Sequence, residues 1–572
     1  LDHRLLTICV GFGGLAVTLA VFWPIMRREF YPEVDAGAFE MYVRAPSGTR
    51  IERTEEKVAQ IEEFLKKTIP EHDLELFVSE IGVNADWSAA YTPNSGPMDA
   101  VIKVQLKEHR SKSAQEYVHL VRTGVAGDPR FRSLDFGFDA GGLVRGAMNE
   151  GKSTPINIRV TGKDQRTARA IAEQIRARCV EIRGVVDARI IQRLDYPEYV
   201  INVNRAKAAD LGLTQEDVMK NVVAAFNSSI QFNKKNFWID PVGGNQYFVG
   251  VQYPEEDIKS IDSLMTIPIT SADQRKAIPL SNLITLRRTT VPTEVTHDNI
   301  QPTIDLSMGV YGRDLGHISD EVTTAIDSFG VKNPDGTWQP YDPSTGGKRP
   351  LKGSKIVLSG EYSRMQDTFR NLGFGLIGAS VLIYFLMVGL DKSWVVPLTV
   401  MLIVPLCLIG ILPALYFTGT AVNVQSLLGF IFVVGIKVAN TVLMTDFAQE
   451  LRHAEGLTPT QAIFKSASIR VKPVTMTAVA AFFALIPGAL ALERGSEANA
   501  PLARAILGGL LAGEPATLFV LPCLYSLMVR DRAGAHAHGG HPVGEGDDLG
   551  HDHDSDELRK DLGDGEIPES LQ

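Results

Sequence analysis

Apolar residues along this chain are gathered into six long runs: residues 5–26, 371–390, 394–417, 422–436 with a continuation to 445, 474–492 and 505–529. Each run holds about 20 residues, which at about 1.5 Å per residue spans about 30 Å of hydrocarbon. That length and that number predict membrane helices, not core helices of a soluble protein. The run at 5–26 is too long for the apolar part of a secretory leader and has no small-residue cleavage site, so it too reads as a span.

Between the first and second runs the pattern changes to alternating short strands and amphipathic helices. Strands are predicted at 39–44, 74–79, 101–106, 133–138, 156–160, 185–190, 199–204, 303–310 and 355–359. Helices are predicted at 50–67, 114–121, 165–178, 214–226 and 318–329. The first of these carries a stripe of Ile51, Val58, Ile61 and Leu65 at helical spacing. Such repeats build small α+β units in which helices cover one face of a sheet. Residues 333–352 are rich in Pro and Gly and read as a loop.

Loop charge gives the orientation. Arg452, Lys465, Arg470 and Lys472 follow the fourth run, Arg530 and Arg532 follow the sixth, and Lys392 lies between the second and third. The alternate loops are poor in cations: 418–420 has none and 493–501 only Arg494. The cation-rich side is cytoplasmic, which places both termini there and the large insertion outside. Arg27 and Arg28 open that insertion, and long domains translocate largely regardless of charge. The chain thus divides into a span at 1–26, an extracytoplasmic region at 27–370, a five-helix bundle at 371–532 and a tail at 533–572.

Net charge is -10, but the tail alone holds eleven acidic against two basic residues. The rest is close to neutral, and nothing suggests a nucleic-acid partner. The tail lacks apolar periodicity and reads as disordered. Its His536, His538, His541, His551 and His553 stand among aspartates, a weak metal-binding signal without fixed ligand spacing. Of the four cysteines, Cys9, Cys407 and Cys523 lie in apolar runs and Cys179 is alone, so no disulfide framework is available. The sequence has no G-x-x-x-x-G-K-[ST] loop, which turns the expected energy source from ATP to an ion gradient.

Ionisable side chains inside membrane runs are costly and mark function by default. Lys437 and Glu514 both lie about midway along their runs, so an ion pair between two helices is geometrically allowed. Pro515 follows Glu514 and frees a backbone carbonyl. Asp446 lies near the cytoplasmic end of its run.

Six stretches carry a resemblance: FYPEVDAGAFEMYVRAPSGTR at 30–50, INVNRAKAADLGLTQEDV at 201–218, GRDLG at 312–316, GIKVANTVLMTDFAQEL at 435–451, RVKPVTMT at 470–477, and GSEANAPLARAILGG at 495–509 with the VLP before Cys523. In this order they resemble the C-terminal half of resistance-nodulation-division (RND) transporters, in the hydrophobe/amphiphile efflux branch. The resemblance implies an α-helical membrane protein of six transmembrane helices with a large α+β periplasmic domain of βαβ porter and docking subdomains. It implies a bacterial inner-membrane, proton-driven antiporter without cofactor, exporting amphiphilic compounds. The implied partners are an N-terminal six-helix half, a homotrimer, a periplasmic adaptor and an outer-membrane channel.

The implied proton relay includes a lysine just before Asn440, where Ala439 stands here. Lys437 lies two residues earlier, about 200° around the helix. Lys437 and Glu514, with Asn440, Thr477, Asp446 and Arg470, are therefore the candidate coupling residues. Trp87, Tyr91 and Met98, then Phe136 and Phe138, align with substrate-facing regions. Three other readings stay open: a non-transporting scaffold, a secretion- or lipid-exporting relative, and a metal exporter. The last relies on a methionine cluster, of which only Met98 and Met148 stand in that area.

Overall fold

The computed structural model of this chain describes residues 3–83, 94–141, 154–226, 237–249, 253–254, 260–270, 276–344, 348–492 and 495–529. Among them are six helices long and apolar enough to cross a membrane: Arg4–Phe22, Glu361–Asp391, Val395–Phe417, Val424–Glu455, Pro459–Leu490 and Ala500–Met528. They are called spans one to six below.

The apolar runs locate the spans but miss their ends. Span two starts at Glu361, not near residue 371, because its first turns carry Glu361, Arg364, Asp367 and Arg370, which a hydropathy pattern discards. Its Tyr362 hydroxyl donates to Asp320 of the insertion at 2.8 Å, so the helix is rooted in that domain. Span five starts at Pro459, capped by a reciprocal pair in which Thr458 accepts from the Gln461 amide and the Gln461 side chain accepts from the Thr458 amide. Span four opens on a buried capping box between Asn423 and Ser426. Span three is broken by a short 3₁₀ turn at Val404–Cys407, where Pro405 has no amide hydrogen to donate.

Small residues set how the bundle packs. A Cβ on Gly410 of span three would lie 2.0 Å from the Gly508 carbonyl oxygen of span six. One on Gly509 would lie 2.7 Å from Val433 of span four, and one on Gly429 would lie 2.7 Å from the Leu502 carbonyl. Gly410 and Ala414, Gly508 and Ala512, and Gly509 and Gly513 are each four apart, the spacing that lets membrane helices approach backbone to backbone. Span six therefore wedges between spans three and four, and these three are the most buried. Spans one, two and five show most of their surface outward.

The insertion holds two main sheets. In the first, Leu74–Ile81, Asp99–Leu106, Ala38–Arg44 and Asp135–Asp139 lie side by side, all antiparallel. Helices Ile51–Thr68 and Ala114–Gly127 cover one face through Val58, Ile61, Leu65, Tyr117 and Val121. Ile51 leaves the expected stripe: it is exposed, and Thr54 takes the inward position one turn on. The second sheet is built on Ile156–Thr161 between Gln301–Val310 and Lys355–Gly360, with Val185–Ile190 also paired to Gln301–Val310. Helices Gln165–Cys179 and Leu315–Asp327 pack on it. A third unit grows from the ribbon of Tyr196–Val203 and Ile284–Val291, with its own core around Leu213, Val218 and Ile269.

The two main sheets meet where strand Asp135–Asp139 approaches strand Val185–Ile190. Arg122 pairs with Asp187 at 2.7 Å, Ser47 donates to Asp195 at 2.7 Å, and Arg44 donates to the Ile191 carbonyl at 2.5 Å.

The glycine seam makes a test. Gly508→Leu should drive spans three and six apart at a cost of about 1–3 kcal/mol or more, read as a lower unfolding temperature in detergent. Gly373→Leu on span two, where an added Cβ meets nothing within 4 Å, should leave that temperature unchanged. Equal tolerance of both substitutions would contradict the seam.

Candidate functional site

The site in the membrane is made by spans four and six. Along span four, Val433, Lys437, Thr441 and Met444 fall on one buried stripe. Lys437 is 1% exposed. Ala439, two residues on, is exposed on the far side of the helix, and Asn440 is half-buried. The position that the resemblance assigns to a lysine thus faces away from the position that carries one.

Gly513 makes room for the lysine stem. A Cβ there would lie 2.5 Å from Lys437 Cε and 3.1 Å from Cys407 Sγ. Across this gap Lys437 Nζ donates to Glu514 Oε1, forming a salt bridge. The other carboxylate oxygen, Oε2, is buried without a hydrogen-bond partner. Pro515 follows, and the helix loosens into a π-helical turn at Ala516–Val520 before resuming at Leu521. Prolines and single π turns are each recognised sites at which a helix bends. Thr517 Oγ1 donates to the Gly513 carbonyl at 2.9 Å and takes up one backbone group there.

Thr441, one turn on, donates to the Lys437 carbonyl at 2.6 Å. The other sequence-derived candidates stand apart from this pair. Thr477 is exposed on span five and donates to its own helix at Val474, 2.9 Å away. Arg470 lies over the Phe447 ring, 5.2 Å from its centroid. Asp446 is within hydrogen-bonding reach of Asp391, at the cytoplasmic end of span two. One residue escaped the sequence reading. Arg504 of span six donates to the Ala489 carbonyl of span five at 2.9 Å and to Thr420 Oγ1, after span three, at 2.6 Å. It sits just before the sixth apolar run at 505–529, outside the stretch that hydropathy marks.

In the insertion, Met98 is wholly buried in the first sheet's core and Phe138 is 6% exposed, with the Arg122 guanidinium over its ring. Met98 is closed off from a cargo in this conformation, whereas Phe138 contributes to the wall of a cavity of about 350 Å³ with Arg122 and Tyr311. Phe136 is half-buried and lines a cavity of about 330 Å³ between the two main sheets. Trp87, Tyr91, Met148 and the five tail histidines lie outside the described residues.

The sequence profile described as the AcrB/AcrD/AcrF family matches residues 1–529. The chain is similar to the cobalt-zinc-cadmium resistance protein CzcA of Cupriavidus metallidurans, 26% identical over 541 residues that cover 93% of this chain and 48% of CzcA. It is similar to the nickel and cobalt resistance protein CnrA of the same organism, 26% identical over 533 residues covering 91% of this chain and 46% of CnrA. Two crystal forms of a heavy metal efflux pump superpose with TM-scores of 0.76 and 0.74, at 23% identity, over 92% of this chain and 51% of that one. At that identity they show the fold. The chain spans about half the length of the curated relatives it matches. The expected export of amphiphilic compounds, and with it multidrug resistance, finds no support in these relatives, which are named for metals.

The pair itself can be tested without transport. Lys437→Met leaves Glu514 buried alone and should cost about 3–5 kcal/mol, whereas Lys437→Met with Glu514→Leu should recover most of that loss. Thermal unfolding in detergent reads both. A single variant as stable as the double would contradict a buried, charged pair.

Proposed function

Because the chain belongs to the AcrB/AcrD/AcrF family of RND transporters, we propose that it provides about half of a proton-driven pump of the bacterial inner membrane that exports heavy-metal cations. The family match supports the efflux architecture, and the names of CzcA and CnrA support the cargo. The proposed assembly adds a second six-helix half, a homotrimeric arrangement, a periplasmic adaptor and an outer-membrane channel.

One observation carries the coupling: a carboxylate midway through span six holds Lys437 with one oxygen and keeps the other, buried, without a partner. A proton arriving at Glu514 Oε2 neutralises the carboxylate and removes most of the attraction that holds Lys437. Loss of the proton restores the pair. The two residues lie on different helices, so each protonation state favours its own packing of span four against span six. The second reading, a scaffold without transport, draws on Ala439 at the position where the resemblance implies a lysine.

The two readings part in an export assay. Cells carrying this chain with a six-helix partner half should accumulate less cobalt, the metal common to both relatives' names, than cells with the partner alone. Lys437→Glu with Glu514→Lys should preserve protein level but shift the pH profile of export. An unchanged profile would make the pair a static strut. Equal cobalt accumulation with and without this chain would favour the scaffold.

A further inference from the structure

The cavity between the two main sheets is lined by Arg44, Arg169, Arg176, Arg189 and Arg193 beside Phe136. Its acids are already engaged. Asp187 is held by Arg122 at 2.7 Å, Glu173 by Arg169 at 2.9 Å, and Asp135 by Arg193 at 3.3 Å. Asp195 accepts from Ser47 at 2.7 Å, and Arg44 is paired with Asp99 at 2.8 Å. This leaves Arg176 and Arg189 as the cavity's unmatched cations among the described residues.

Arg189 has a built seat. Its guanidinium lies over the Tyr42 ring, 4.8 Å from the centroid. A Cβ on Gly137, the residue paired with Tyr42 in the first sheet, would lie 2.6 Å from the guanidinium carbon. Only glycine leaves that space. Arg189 Nε is nonetheless buried without a hydrogen-bond partner. Burial, and then the neighbouring Arg44 guanidinium, pull the Arg189 pKa below its ordinary value, and the same two causes act on Arg193. Both stay protonated at neutral pH, because arginine starts so high. Three guanidinium groups are thus crowded at one wall of a cavity of about 330 Å³, within the size range of small-molecule sites.

We infer that this cleft binds a small organic anion through Arg189 and Arg176, with carboxylate groups as the recognised chemistry. A guanidinium fork suits a carboxylate, and the two arginines that no carboxylate holds tilt a cleft of five guanidinium groups and four carboxylates toward an anion over a bare divalent cation. The inference rests on the export reading for what the cleft is for, but not for whether it binds. It refines the cargo: a metal crosses this cleft as an anionic carboxylate complex, or the cleft takes the free organic anion.

Calorimetric titration of the whole purified chain in detergent tests it, with three probes: citrate, cobalt citrate and cobalt chloride. Citrate or its cobalt complex should bind, and Arg189→Gln should weaken that binding at least tenfold. Arg176→Gln, on an exposed helix face where unfolding is not at stake, should weaken it severalfold. Tighter binding of cobalt citrate than of citrate marks the complex as the ligand, and the reverse marks the free anion. Citrate affinity unchanged in both variants, or a cobalt chloride signal lost with Arg189, would overturn the inference. Cobalt export without citrate binding would sink this proposal and leave the pump reading standing; citrate binding without export would do the opposite.

Discussion

The membrane half of this protein depends on the close approach of span six to spans three and four. Gly508, Gly509 and Gly513 remove the side chains that would hold the helices apart. Only with Gly513 bare does the Lys437 stem pass over span six and reach Glu514. In hydrocarbon each of these charges alone would be expensive, so the pair and the seam support each other. Pro515 and the π turn after it loosen the helix beside the carboxylate, where a change of charge has most effect on packing.

Above the membrane the same economy of charge is used differently. The joint between the two main sheets is made by arginines, several of which bridge strands or carboxylates across it. Arg189 also crosses the joint, onto the Tyr42 ring, but no carboxylate holds it, and it is the residue whose placement points to a ligand. The membrane pair and the cleft are thus two separate charge problems: one closed on itself except for a single carboxylate oxygen, the other open toward an anion.

Much of this was legible in the sequence, for physical reasons that differ from part to part. Length and apolarity located the spans, but their charged first turns, as at Glu361–Arg370 in span two, hid where helices begin. The Lys437–Glu514 contact could be anticipated because both charges fall midway along their runs, and helix geometry turned Lys437 away from the Ala439 face. Arg504 was missed because it borders an apolar run. The arginine cleft could not be read at all: Arg44, Arg176 and Arg189 come from separate elements, with no spacing that links them. Met98 looked like a cargo contact by its neighbours in sequence, yet the first sheet closes over it. The cargo could not be read from the quoted motifs: residues 30–50 and 201–218 form strands and helices of the insertion, a role in the fold that names no cargo.

The most direct test of the central claim is the charge state of Glu514, read by infrared difference spectroscopy of the wild-type chain against Glu514→Gln across a pH series. A charged pair predicts a carboxylate band at neutral pH that the variant lacks, replaced by a carboxylic acid band as the pH falls. A carboxylic acid band already present at neutral pH would mean that Glu514 is protonated beside Lys437, and the account of a proton-breakable ion pair would fail.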